Sequence, residues 1–84
     1  MVEFTNINTL NSTKMDKYCL NRNQQVGYGY NHEVHKSWCS HRPLPANQID
    51  LGYCYSDEEA LRKAKQHYSD ADGCAYCCPS IHKG

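Results

Sequence analysis

Two short runs of this sequence carry donor atoms at ligand spacing. His35-Lys36-Ser37-Trp38-Cys39 sets an imidazole and a thiol on either side of three residues, so one helical turn or compact loop can aim both at a common point. Cys74-Ala75-Tyr76-Cys77 is a C-x-x-C, in which a single tight turn presents two thiolates to one ion. Thiolate and imidazole donors suit zinc rather than magnesium or calcium, which take oxygen. The expected site is therefore one Zn2+ held by His35, Cys39, Cys74 and Cys77. The fourth place has rivals: Cys78 abuts Cys77, His82 follows shortly after, and His41 lies two residues beyond Cys39. Adjacent cysteines seldom both reach one tetrahedral ion without strain, so Cys78 and His82 stand as alternates. A redox dithiol is the bland reading of the C-x-x-C, but no βαβ pattern surrounds it.

A metal also answers a deficit in the composition. Leu, Ile, Val and Phe number only twelve in 84 residues, below the fifth or so that an ordinary core uses. Seven Tyr and one Trp add apolar area, yet a chain this short gains only a few kcal/mol from its core. It needs a staple, and six Cys with five His are the material. The first residues show neither a basic nor an apolar leader region, so a cytoplasmic, reducing location is expected, where such clusters bind metal instead of forming disulfides. No apolar run approaches a membrane span. Nine basic side chains balance nine acidic ones, which argues against a globally basic nucleic-acid surface.

The elements that must position these donors follow from periodicity and turn signals. Residues 1–24 are polar and Asn-rich and read as a partly ordered N-terminal arm; 25–84 read as the zinc-binding domain. Val26, Tyr28 and Tyr30 alternate with glycines, and with Val34 they suggest one or two short strands over 25–35. Two prolines make 42–47 a loop, and Ile49, Leu51 and Tyr53 mark a strand over 48–54. Ser56 and Glu59 form a capping box, with acids in the first turn and bases later, which predicts a helix over about 57–68. Gly73 is placed to turn the chain into the C-terminal Cys knuckle. The expected fold class is α+β: a small zinc-stapled domain with a short antiparallel sheet and one main helix. Cys19 and Cys54 stand alone and read as core residues, His32 and His67 as surface residues. Trp38, beside Cys39, reads first as a lid over the metal and second as an aromatic platform.

The run His35-x3-Cys39, then Leu51-Gly52-Tyr53, Glu59-Ala60 on a helix, and Gly73-Cys74-Ala75-Tyr76-Cys77 resembles the Ada-like metal-binding fold. It is similar as well to a group of small bacterial Cys-rich proteins ending in Gly-Cys-x-x-Cys-Cys…His. The resemblance covers residues 35–82. It implies thiolate ligands at Cys39, Cys74 and Cys77, with His35 where the Ada domain has a Cys, and it implies a zinc-bound thiolate, nearest Cys39, able to accept a methyl group. Imidazole in place of one thiolate makes the centre less negative and its sulfurs poorer nucleophiles, which opposes methyl transfer.

The functional expectation is a non-enzymatic, monomeric structural-zinc module that binds a macromolecule, a protein first. A nucleic-acid binder of Ada-like type is the alternative, using Trp38, Tyr28 and Tyr30 for stacking and Lys36 and Arg42 for phosphate contacts. A thiolate redox sensor or methyl acceptor is the third reading. Asp57, Glu58 and Glu59 are helix N-terminal charges and not an acid/base pair.

Overall fold

The computed structural model describes residues 14–24 and 31–83. Within them lie strands β1 (Asp16–Asn21), β2 (His32–Lys36) and β3 (Gln48–Cys54), helix α1 (Asp57–Lys65) and a short strand β4 (Ala71–Gly73). The sheet order is β3-β1-β2-β4. β1 runs antiparallel to both neighbours, while β2 and β4 pair in parallel. The sheet is thus mixed and not purely antiparallel. The cause is the helix: it carries the chain back after β3, so β4 enters in the direction of β3 and β2, and a β-α-β crossover absent from the sequence reading leads into the C-x-x-C. The expected strand over 25–35 is realised from His32; residues 25–30, with Tyr28 and Tyr30, lie outside the described residues, as do residues 1–13 of the arm.

Sequence periodicity placed no strand before residue 25, yet Asp16–Asn21 is an inner strand. Tyr18, Cys19, Leu20 and Asn21 are all buried, so both faces of β1 are covered. Side chains alternate across a strand. Tyr18 and Leu20 therefore share one face with their partners Lys36 and Val34, and Cys19 shares the other with its partner His35. The helix covers the first face. Its Ala60 and Ala64 are fully buried with Leu20 and Val34, and Asp57 at its start accepts a 2.6 Å hydrogen bond from the Tyr18 hydroxyl. The second face belongs to the His35 and Cys19 side chains and to the loops that close over them.

α1 begins at the expected place. Ser56 accepts from the Glu59 amide at 3.1 Å, and Glu59 Oε1 accepts from the Tyr55 amide at 2.7 Å. It ends three residues earlier than expected, because the amides of His67 and Tyr68 both return to the Ala64 carbonyl and close the ladder. Gly52 adopts a left-handed φ of 75° where the β1–β3 register shifts, a position glycine takes without strain. Gly73 differs from expectation. It is no turn residue but the last residue of β4, and a Cβ there would sit 2.7 Å from the Cys78 carbonyl and collide with Ile81. Two proline-led 3-10 turns, Pro45–Asn47 and Pro79–Ile81, complete the path.

Candidate metal centre

Parallel pairing is what brings the two donor runs together. Val34 stands level with Gly73, and the Cys74 amide then donates to the Val34 carbonyl at 2.9 Å, which sets Cys74 beside His35. A turn closed by the Cys78 amide on the Cys74 carbonyl (2.9 Å) swings Cys77 back toward the same point. On the other side, the Cys39 amide donates to the Lys36 carbonyl at 3.0 Å, folding the chain after β2 into a tight turn. Arg42 braces this turn by donating to the Cys39 carbonyl at 2.8 Å.

One ligand atom from each of His35, Cys39, Cys74 and Cys77 lies within 4.8 Å of the others, and all four residues are buried. The sulfurs of Cys39 and Cys74 are 3.9 Å apart. A tetrahedral ion with bonds of about 2.3 Å to sulfur requires sulfur pairs about 3.8 Å apart. Each sulfur also accepts a backbone N–H: Cys39 from His41 at 3.4 Å, Cys74 from Tyr76 at 3.4 Å, Cys77 from Lys36 at 3.3 Å. Such bonds favour the thiolate that metal binding needs. The donor set fits a tetrahedral metal ion.

Electrostatics say that the cluster is unfavourable as a set of bare charges. Burial pushes the Cys74 thiol up to about 12, and burial raises Cys39 as well. Cys77 is raised by its hydrogen bond with Cys78 and then by burial. Burial lowers His35 to about 4, aided by His41, so its imidazole stays neutral and able to donate a lone pair. Crowded, desolvated thiolates become stable only with a cation among them.

The alternates are differently engaged. Cys78 is fully buried with its sulfur 3.7 Å from that of Cys77, outside the four-atom cluster. His82 donates from Nδ1 to the Gly73 carbonyl at 2.9 Å. His41 stacks on Tyr76 with centroids 3.9 Å apart. Trp38 is 63% exposed, too open to be the expected lid, and Lys36 Nζ rests 5.6 Å from its ring centroid. Lys36 also lies 3.9 Å from Asp57, so both bases assigned to phosphate contacts are tied into the fold. Cys19 and Cys54 are buried as expected, and His67 is exposed. His32 is no free surface residue. It donates to Asp70 at 2.7 Å and stacks on Tyr68 at 3.6 Å.

Comparison of the chain with protein-family models, curated proteins and solved structures finds no match. The Ada-like resemblance therefore rests on its short sequence motifs, of which the structure brings together the four donor residues. What sequence reasoning missed is the place of Cys19 opposite His35. Burial raises its thiol to about 11, with smaller contributions from Cys77 and Cys39. Its signal was indirect, because only the β1–β2 register sets it opposite His35. Among the described residues no helix is long and apolar enough to cross a membrane.

Proposed function

We propose that this chain is a structural-zinc module without enzymatic activity, built to display a surface to another protein. The observation that carries the zinc reading is the convergence of one imidazole and three thiols, all buried, within 4.8 Å. Zinc suits that donor set because it accepts N and S ligands in a tetrahedron. Four protein donors fill the coordination shell, leaving no position for the water or substrate that catalytic zinc keeps. The ion ties the turn after β2 to the turn after β4.

The protein-binding part is supported by what the two ligand turns hold outward. Trp38 from one turn and Tyr76 from the other are 63% and 74% exposed, and Leu44 beyond them is 73% exposed. Aromatic groups so presented are enriched at protein interfaces. With Lys36 and Arg42 engaged within the fold, a phosphate-binding role has less to work with.

Metal analysis of the purified chain tests the zinc reading: one zinc per chain is expected, and a chain that folds with none would sink it. Cobalt substitution tests the closed shell. The visible spectrum of a tetrahedral site with three sulfur donors and one nitrogen donor should be unchanged by added azide, whereas a shift would reveal an open position. For the surface, a Trp38→Ala, Tyr76→Ala double variant should keep its zinc yet lose the partner that the parent chain captures and that binds it directly when purified. Undiminished binding would remove this face from the proposal.

A further inference from the structure

His35 and Glu33 are two positions apart on β2, so their side chains leave the same face of the sheet. Glu33 Oε1 stands 3.5 Å from His35 Nε2, and the Glu33 side chain is only 21% exposed. The cluster of mutually close donors takes in the imidazole and three thiols but not this carboxylate. Of the other carboxylates on that side among the described residues, Asp50, the partner of Cys19, accepts the Gly52 amide at 2.8 Å and lies 3.9 Å from Lys17, and Asp72 is the cross-strand partner of Glu33. It accepts the Lys83 amide at 2.9 and 3.1 Å, and His82 Nδ1 lies 3.6 Å from it. Glu33 is thus the acid set against the imidazole.

The two lone-pair directions of an imidazole diverge widely, so a nitrogen that faces a carboxylate cannot also face the sulfurs. We infer that Glu33 is a positioning residue: its carboxylate holds the Nε2–H of His35, which fixes the ring tautomer and presents Nδ1 to the ion. This rests on the zinc reading above and adds what that reading leaves open, namely which nitrogen binds and what aims it. A metal-bound imidazole that donates its other N–H to a carboxylate is fixed in orientation and is a more basic ligand. That matters here because His35 is the one uncharged donor among three thiolates, and it sits on a strand whose backbone cannot rotate to correct its aim.

The deciding measurement is the long-range 1H–15N spectrum of the zinc-loaded, 15N-labelled full chain. Cross-peaks from the His35 ring protons distinguish a metallated Nδ1 with a protonated Nε2 from the reverse. The first pattern is expected, and zinc on Nε2 would overturn the inference while leaving the zinc reading intact. A chain that takes up no zinc would bring down both. Competition against a chromophoric chelator gives the second readout. Glu33→Ala should weaken zinc binding about ten- to a hundredfold, and Glu33→Gln, whose amide oxygen can accept the same N–H, should recover most of it. Unchanged affinity in Glu33→Ala, or no recovery in Glu33→Gln, would count against Glu33. Should either variant fail to fold, the spectrum of the parent chain still decides.

Discussion

Burial holds the thiols of Cys39 and Cys74 above their usual range, Cys77 is held there by its bond with Cys78 and by burial, and His35 is held below its own. At neutral pH the three sulfurs therefore carry protons and the imidazole does not. Zinc must displace the former and none of the latter, so about three protons should leave per ion bound. Calorimetry in buffers of different ionisation enthalpy measures that number; a value near one would deny that three thiols take part. Protons and metal compete, so apparent affinity rises with pH across the neutral range and the ion is released on acidification. The sign for His35 agrees. Its folded value of about 4 lies below its ordinary one, so its contribution is full above the ordinary value near 6.5 and is lost as pH falls towards 4. Cys77 and Cys78 give a sharper contrast, since only one sulfur of this adjacent pair belongs to the cluster. Cys77→Ser should lower zinc affinity more than about a hundredfold, whereas Cys78→Ser should keep it within about tenfold and lose roughly 1–3 kcal/mol of stability from burying a hydroxyl. Chelator competition and thermal melting separate the two. The donor types and both spacings were legible because each pair is local. Cys78 could be set aside on its adjacency to Cys77, but the exclusion of His82 was not legible, because it depends on the 3-10 turn Pro79–Ile81 that brings His82 onto the Gly73 carbonyl.

The helix is the element whose instructions are all local. A cap at Ser56 and three acids in its first turn fix its start, and three bases occupy its last turn. Ser56→Ala removes the bond to the Glu59 amide and should cost about 1 kcal/mol. Chemical denaturation at fixed free zinc would measure it, and no change would mean that the cap is redundant with the Glu59 bond to the Tyr55 amide. The strands are legible in proportion to how far they depend on partners. β3 alternates in sequence and lies where it was expected. β1 is hidden because both of its faces are buried: Cys19 and Asn21 fall where alternation leads one to expect solvent. β4 is hidden because Ala71-Asp72-Gly73 has poor strand propensity; it is extended because β2 pairs with it and because Lys83 binds Asp72. Neither cue can be read from neighbours in the chain.

At the scale of the molecule the sheet has two coverings of different kinds. α1 supplies small apolar side chains on the Tyr18, Leu20 and Val34 face, and the ligand turns supply sulfur and imidazole on the Cys19 and His35 face. With twelve aliphatic and Phe residues in the whole chain, the first covering alone is a thin core. Removal of zinc by a strong chelator should therefore abolish most near-UV dichroism and sharp amide dispersion, and re-addition should restore both. A chelated chain that kept its dispersed spectrum would show that the helix side suffices.

Cys39 and Cys74 are 35 positions apart, and everything from the loop after β2 through β3, α1 and β4 lies between them. An ion joining them closes that span as a covalent bridge would. It holds that span only while the chain is folded, however, so its stabilisation grows with free zinc and does not come from a constraint on the denatured ensemble. The difference is what opens the ring. A disulfide answers to reducing potential, whereas the proposed zinc tie would answer to free metal and to protons. Resistance to proteolysis should then follow the concentration of the metal, with the lifetime of the folded state set by how slowly the ion departs.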